Sequence, residues 1–358
     1  MTPGLSNFAA RLRELISHPQ FEIGNRQFSE LALELFTLQF QNNFAYRKIC
    51  ETRRLTPQVV EHWTQIPFVP TGAFKELELT SLAPDARAAV FNSSGTTGQK
   101  PGRHFHNAES LAVYEASLWK WFQLHFVDVG ELVFLTPNQN AAPHSSLVHM
   151  FEIVRRKFVL QESAFAGIIS ADGSWTVNFA VTIQKLKTAI DTAKPLTLLG
   201  TAFSFVHLLD YLAENNLQFQ LPENSRVMET GGYKNRSRTL PKAELHALIT
   251  KHLGIAPGNI ICEYGMSELS SQAYDSEIQN SERQFHFPPW ARVQIISPET
   301  EREVREGESG LIRVFDLANV FSVAAIQTED LGIRRDDGFE LTGRAQFAES
   351  RGCSLMTA

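Results

Sequence analysis

The sequence predicts an α/β fold with a mostly parallel sheet, and two observations support this prediction. Short apolar segments with the length and composition of buried strands occur at residues 131–137, 195–201, 225–232 and 259–265. Helical patterns occupy much of the chain between and around them, at residues 109–124, 203–213 and 241–253. Apolar strands that alternate with helices are typical of a parallel sheet, because each parallel pair needs a crossover connection.

The first 65 residues are predicted to form a helical cap. Phe28, Leu31, Ala32 and Leu35 are spaced i, i+3, i+4 and i+7, so they share one face of a helix. An apolar face of this kind packs against a core. Residues 66–289 are then predicted to form the α/β core domain that this cap covers.

A small β-rich subdomain is predicted for residues 290–344. The stretches ARVQIIS, GLIRVFD and FSVAAIQ, the last at residues 321–327, are separated by charged turns that contain glycine. This pattern is typical of short antiparallel strands. Residues 345–358 remain as a short tail that carries Cys353.

Composition excludes several classes of protein. The net charge of −6 over 358 residues gives no basic footprint for nucleic acid. The first residues lack the long apolar segment that a secretory leader requires, and no apolar run reaches the about 20 residues needed to span a membrane, so we expect neither feature. The three cysteines are scattered and do not predict a disulfide framework or a zinc site. We expect a cytoplasmic protein.

A loop rich in serine, threonine and glycine follows a predicted strand at residues 88–94. Its sequence is SSGTTG at residues 93–98, with Lys100 beside it. Glycines let a backbone approach an anion, hydroxyls donate hydrogen bonds, and a following helix would add its N-terminal dipole. Neither the Walker A pattern nor G-x-G-x-x-G is present. Taken alone, the stretch is compatible with a phosphate site and with an ordinary turn.

Two later stretches favour a binding site. CEYGMSELS, at residues 262–270, ends an apolar strand, and ligands bind at the carboxyl ends of strands in open α/β sheets. Residues 327–344 carry Asp330 and Arg344 on either side of a hairpin predicted around Asp337 and Gly338.

In this order the three stretches resemble the adenylate-forming family, which includes acyl-CoA ligases and peptide synthetase adenylation domains. SSGTTG is similar to the family's phosphate loop, YGMSE to its aromatic-Gly-x-Thr-Glu motif, and TED with GR to its Thr-Gly-Asp and Gly-Arg motifs. The resemblance covers about residues 71–344. It implies an adenylate-forming large-domain fold, ATP and Mg²⁺ as cofactors, and an enzyme that converts a carboxylic acid to acyl-AMP.

The resemblance also implies individual roles. Glu268 would hold Mg²⁺ and act in catalysis, Ser267 would contact the α-phosphate, and Tyr264 would stack on adenine, with Gly265 and Met266 in the same motif. Asp330 would bind the ribose hydroxyls, with Arg344 nearby. Gly231 and Gly232 would lie beside the adenine and the acyl group. The ATP phosphates would be held by Ser93, Ser94, Gly95, Thr96, Thr97, Gly98 and Lys100, the last also catalytic.

The chain departs from the family pattern in places. Ser267 replaces the usual threonine and keeps its hydroxyl, Glu329 replaces a glycine, and Lys100 precedes a proline that it normally follows. Typical members continue into a mobile C-terminal domain with a catalytic lysine. Here only 14 residues follow Arg344, so we expect that domain to be absent. Another lysine could replace the catalytic lysine of that domain. The candidates, all predicted to lie on loops, are Lys75, Lys100 and Lys234.

Cys353 has two readings, an incidental terminal cysteine and an acyl acceptor favoured as thiolate by nearby Arg351. The acyl-acceptor reading is favoured because the chain resembles one branch of the family, the acyl-protein synthetases of bacterial luminescence fatty-acid reductase complexes. That branch shares the length, the early end, and segments similar to residues 66–75 and 143–150. It implies that a long-chain fatty acid is activated, transferred to Cys353, and passed to an acyl-CoA-reductase-like partner protein.

Two other functions stay open at this point. The first is a compact ligase similar to phenylacetate-CoA ligases, which would release acyl-CoA. The second is a non-catalytic AMP-binding subunit. An acyl label on the protein that hydroxylamine removes would favour the acyl-protein synthetase over both.

Overall fold

A computed structural model describes residues 3–19, 22–93, 100–158, 163–171, 173–231, 240–275 and 283–345. The helices in these ranges are α1 (Pro3–Ser17), α2 (Asn25–Asn42), α3 (Phe44–Thr52), α4 (Ala73–Glu76), α5 (Ala108–His125), α6 (Ser146–Lys157), α7 (Phe179–Thr192), α8 (Ala202–Glu214) and α9 (Lys242–Leu253). The strands are β1 (Val69–Pro70), β2 (Ala89–Asn92), β3 (Arg103–His106), β4 (Glu131–Phe134), β5 (Ala164–Phe165), β6 (Gly167–Ile169), β7 (Trp175–Val177), β8 (Leu196–Thr201), β9 (Arg226–Thr230), β10 (Ile260–Tyr264), β11 (Ala273–Tyr274), β12 (Ala291–Ile296), β13 (Ser309–Asp316), β14 (Ala325–Arg335) and β15 (Gly338–Arg344).

The central sheet has the strand order β11-β10-β9-β8-β4-β5. Its strands run parallel except for β11 at one edge, so the predicted α/β fold with a mostly parallel sheet is confirmed. Strand β10 is buried along its whole length, and β8 along all but its last residue. Helices cover both faces of such a sheet, and this explains why these strands are continuously apolar in sequence.

A second sheet has the order β1-β14-β13-β12. Strand β15 also pairs with β14, further along it than β1 does. Strands β12 to β15 are antiparallel, as the sequence predicts. The hairpin turn falls at Asp336 and Asp337, one residue earlier than predicted, and Asp336 has a positive φ of 34°. The strand predicted at residues 321–327 begins only at Ala325, because the residues before it turn back and Phe321 O accepts a hydrogen bond from Ser81 N.

Helices α1 to α3 form the N-terminal part of the chain. The predicted face of α2 is buried at Phe28, Ala32 and Leu35. Helix α1 packs against α5 of the core. The side chain of buried Gln39 donates to Asn319 O (2.8 Å) and accepts from Ala324 N (3.1 Å), which fixes α2 to the connection between β13 and β14.

Strands β2 and β3 form a separate antiparallel hairpin. The helix predicted after the glycine-rich loop at residues 109–124 is confirmed as α5 (Ala108–His125), and strand β3 lies between the loop and this helix. The dipole of α5 is therefore not at the end of the loop. No helix within the described ranges is long and apolar enough to cross a membrane.

Candidate active site

The turn after β10 carries a buried carboxylate, that of Glu268. Glu268 is 5% exposed, and Ser267 Oγ donates to its Oε2 over 3.0 Å. Burial raises the pKa of Glu268, while the Ser267 hydroxyl and the positive charges of Lys75 and Arg344 oppose that rise. Gly265 leads into the turn, where a Cβ would lie 2.3 Å from Glu263 Oε1, so a side chain here would displace the Glu263 carboxylate.

Buried side chains from other elements hold this turn in place. Asn319 Nδ2 donates to Glu268 O (2.8 Å), and Ser270 Oγ donates to Asn319 Oδ1 (2.7 Å). From β3, His104 Nδ1 donates to Ser267 O (2.8 Å). Burial lowers the pKa of His104 to about 4, so its ring is neutral at physiological pH. The Ser267–Glu268 backbone is therefore fixed from two sides.

The β2–β3 hairpin brings the glycine-rich stretch to Glu268. Ser93 and Gly102 close the hairpin: Ser93 N donates to Gly102 O (2.9 Å), and Gly102 N donates to Ser93 Oγ (2.8 Å). A Cβ on Gly102 would lie 2.9 Å from Glu268 Oε1. The hairpin end and the carboxylate are thus in direct contact. Predicted phosphate-loop residues that lie outside the described ranges are Ser94, Gly95, Thr96, Thr97 and Gly98.

Tyr264 and Asp330 meet across the two sheets. Tyr264, at the end of β10, donates its hydroxyl hydrogen to Asp330 Oδ2 on β14 (2.9 Å). Arg344 Nε donates to Asp330 Oδ1 (3.2 Å), and its side chain is 76% exposed. Phe339 lies edge-on to the Tyr264 ring, with centroids 5.3 Å apart. The two residues predicted to bind adenine and ribose are therefore neighbours, and the Tyr264 ring is buried.

The remaining predicted residues that the structure describes lie further from Glu268 or are exposed. Gly231 directly follows β9 and has a positive φ of 71°, a conformation that favours glycine. Met266 is half-buried against the core. Lys100 is exposed. The pKa of Glu78 is lowered mainly by a hydrogen bond from Arg87, and the charge of Lys100 adds to this effect. Gly232, Lys234 and Cys353 lie outside the described residues.

Sequence reasoning missed the polar residues that support the site. Asp316 is the last residue of β13, and Asn319 lies three residues further on. The signal available was two polar residues inside an otherwise apolar stretch, FDLANVF. His104 and its role could not be found from sequence, because its partner is distant along the chain. Lys75 was placed on a loop, whereas it lies on the one-turn helix α4.

The fold is shared with enzymes of known structure. Crystal structures of a 2-hydroxyisobutyryl-CoA ligase align over 89% of this chain at 14% identity. The postadenylation complex with 2-HIB-AMP gives a TM-score of 0.67 over 67% of that chain. An open conformation with 2-HIB-AMP and CoA gives 0.66 over 74%. The fold is that of adenylate-forming enzymes.

The family follows from the sequence comparison. The family model described as acyl-protein synthetase, LuxE, matches residues 17–358. The chain is thus an adenylate-forming ligase that belongs to the acyl-protein synthetase, LuxE, family. It is similar to two proteins named long-chain-fatty-acid–luciferin-component ligase. The one from Aliivibrio fischeri is 26% identical over 92% of this chain and 87% of its own length. The one from Vibrio harveyi is 25% identical over 91% and 86%.

Proposed function

We propose that this protein uses ATP and Mg²⁺ to activate a long-chain fatty acid as acyl-AMP, then takes the acyl group onto Cys353 and delivers it to a reductase-like partner. The observation that carries the proposal is the meeting of Glu268, the Ser93–Gly102 hairpin end and the Tyr264–Asp330 pair at the carboxyl end of β10. Family membership and the names of the two relatives support the choice of a fatty acid.

In the first step a carboxylate oxygen of the acid attacks the α-phosphorus of ATP. The bond from that phosphorus to the oxygen bridging the α- and β-phosphates breaks, and pyrophosphate leaves with the electron pair. Residues 93–98 and Lys100 would bind the phosphates, and Ser267 would donate to an α-phosphate oxygen. Tyr264, Gly265 and Met266 would flank the base with Gly231 and Gly232, while Asp330 and Arg344 would fix the ribose. Such fixed donors stabilise the charge that develops in the transition state.

The residues present fit Mg²⁺. Across the part of the chain that the structure describes, no group of three or more His, Cys, Asp or Glu side chains could hold a metal by itself. Mg²⁺ is commonly bound by one or two carboxylates together with substrate phosphates and water. Glu268, buried and next to the hairpin end, supplies one such carboxylate. Bound there, the ion would neutralise phosphate charge.

In the second step the thiolate of Cys353 attacks the acyl carbon of acyl-AMP. A thioester forms, the acyl–phosphate bond breaks, AMP leaves, and the thiol proton passes to solvent. Cys50 and Cys262 are poor alternatives because both are buried. Burial raises the pKa of the Cys50 thiol to about 12, so little thiolate exists there.

Intact-mass measurement of the full chain tests the proposal. After incubation with ATP, Mg²⁺ and mixed fatty acids, we expect a mass increase of one acyl group that hydroxylamine removes. Cys353→Ser should lose this adduct and retain fatty-acid-dependent pyrophosphate exchange. Cys50→Ala, which removes a buried thiol, should keep both. An adduct that persists in Cys353→Ser would overturn the transfer step.

The same experiment separates the two other functions. Release of acyl-CoA when CoA is added, with no adduct on the protein, would indicate a compact CoA ligase. ATP or AMP binding without pyrophosphate exchange across a broad panel of acids would indicate a non-catalytic subunit.

A further inference from the structure

We infer that Lys75 is a further catalytic residue: its ammonium group contacts the phosphates of ATP beside Glu268 and stabilises the charge that develops as pyrophosphate leaves. The inference rests on the proposed adenylation and adds a specific source of positive charge to it. It comes from α4, an element outside the three motifs.

Helix α4 packs between strand β1 of the second sheet and strand β3 of the β2–β3 hairpin. Its entry is fixed to β14, because Thr71 N donates to Gln327 O over 3.0 Å. Phe74 is fully buried, and its ring lies 6.3 Å, centroid to centroid, from the ring of His104 on β3. His104 is the residue that holds the Ser267 carbonyl. The helix therefore packs on the same strand that supports the Glu268 turn.

Distances around Gly102 place α4 next to the Glu268 carboxylate. A Cβ on Gly102 would lie 2.9 Å from Glu268 Oε1 and 3.4 Å from Phe74 Cβ. Lys75 follows Phe74 directly, and its side chain is half-buried. Its charge acts on Glu268, as does that of Arg344 on β15. The positive charges of two residues from different elements thus act on one buried carboxylate.

Of the other two candidate lysines, the structure describes only Lys100. Lys100 is exposed, and its charge acts on Glu78. Lys234 lies outside the described residues. A half-buried ammonium group interacts with phosphate more strongly than an exposed one, because less water screens it. Lys75 is therefore better placed than Lys100 to stabilise the negative charge of phosphates bound beside Glu268.

The chemistry needs positive charge at this position. As the carboxylate attacks, negative charge increases on the α-phosphate oxygens and on the departing pyrophosphate. A fixed cation at that point lowers the barrier, and removal of one such donor typically costs about 100-fold to 1,000-fold in rate. Lys75 would supply that cation in every turnover, since α4 is fixed to both the sheet and the hairpin.

The test compares Lys75→Met and Lys75→Arg with the wild-type chain. We expect Lys75→Met to lower the rate of fatty-acid-dependent pyrophosphate exchange about 100-fold. By calorimetry it should also weaken ATP binding about tenfold and AMP binding less, because AMP carries one phosphate. Lys75→Arg keeps the charge and should recover a large part of both losses. Lys187→Met, on the exposed face of α7, is the matched control and should change neither.

Each result decides the inference. Wild-type exchange and ATP affinity in Lys75→Met would overturn it. If thermal unfolding shows that Lys75→Met is destabilised, the Lys75→Arg variant tests the inference instead. A stable Lys75→Arg that recovers neither the exchange rate nor the ATP affinity would also overturn the inference. A wild-type chain that binds ATP and lacks exchange would overturn the proposed adenylation, while the comparison of ATP affinities would still test Lys75.

Discussion

At the scale of single residues, Asp316 is a buried anchor of the Glu268 turn. Its carboxylate accepts hydrogen bonds from Ser270 N (2.9 Å), Ser271 N (2.8 Å) and Ser271 Oγ (2.8 Å). The side chain is fully buried, and burial raises its pKa from 3.8 to about 6, although these hydrogen bonds oppose the rise. The backbone just after Glu268 therefore depends on a carboxylate that is costly to keep ionised.

Replacing this carboxylate should change how stability depends on pH. Because the folded pKa of Asp316 is raised, the folded chain binds this proton more tightly than the unfolded chain does. The resulting stabilisation is fully present below about pH 4 and is lost as the pH rises through about 6. The free energy of unfolding of the wild type, relative to Asp316→Asn, should fall by about 2 kcal/mol between pH 4 and pH 7.

Urea unfolding of both proteins at several pH values measures this difference. Subtracting the free energy of unfolding of the variant from that of the wild type cancels the contribution of the carboxylates that both proteins contain. Asp85→Asn removes a carboxylate from an exposed turn and serves as the control. A wild-type-minus-variant difference that stays constant from pH 4 to pH 7 would contradict the prediction.

At the scale of elements, the β2–β3 hairpin positions the glycine-rich stretch through Gly102. A Cβ at this residue would approach Glu268 Oε1 to 2.9 Å and Ser93 Oγ to 3.0 Å. The carboxylate or the hairpin end would have to move by a few tenths of an ångström. Such small displacements are costly in an active site, where 1 Å can change the rate about 100-fold.

Gly102→Ala should therefore lower the rate of pyrophosphate exchange at least about tenfold with little loss of stability. The matched control is Gly258→Ala, because a Cβ at Gly258 would have no heavy atom within 4 Å. Parallel measurement of exchange rate and thermal unfolding checks the pair. Equal exchange rates in the two variants would show that the hairpin end does not set the position of Glu268.

Several long elements of the core were predictable, and some of the shortest ones were not. Helix α5 was predicted at residues 109–124 and occupies Ala108–His125, since a long periodic pattern identifies a helix. Strands β1 and β3 and helix α4 have two to four residues each. Elements this short carry no usable periodicity and are fixed by partners distant in the chain, such as β14 for β1.

At the scale of the whole molecule, the candidate site lies where the two sheets meet. Tyr264 belongs to the central sheet and Asp330 to the second sheet, and their hydrogen bond joins the two. Asn319, in the connection from β13 to β14, holds the backbone of Glu268. A nucleotide bound at these residues would contact both sheets.

Binding should therefore stabilise the whole chain against unfolding. A ligand at 100 times its dissociation constant adds about 2.7 kcal/mol when it binds only the folded state. We expect ATP with Mg²⁺ to raise the melting temperature by a few degrees, and Asp330→Ala to abolish most of this shift. Asp337→Ala, in the exposed turn of the same hairpin, should retain it. Differential scanning calorimetry measures both, and equal shifts in the two variants would exclude Asp330 from the nucleotide site.

The sequence by itself determined the α/β class, the course of the central strands, the antiparallel second sheet and the motifs at residues 93–98, 264–268 and 330–344. These features are local, because strand and helix patterns and short motifs can be recognised within about 20 residues. Only the tertiary structure placed Lys75, His104, Asp316 and Asn319 around Glu268. Their contacts join residues about 50 to 200 positions apart, and no local pattern records which distant partner a buried polar side chain will meet.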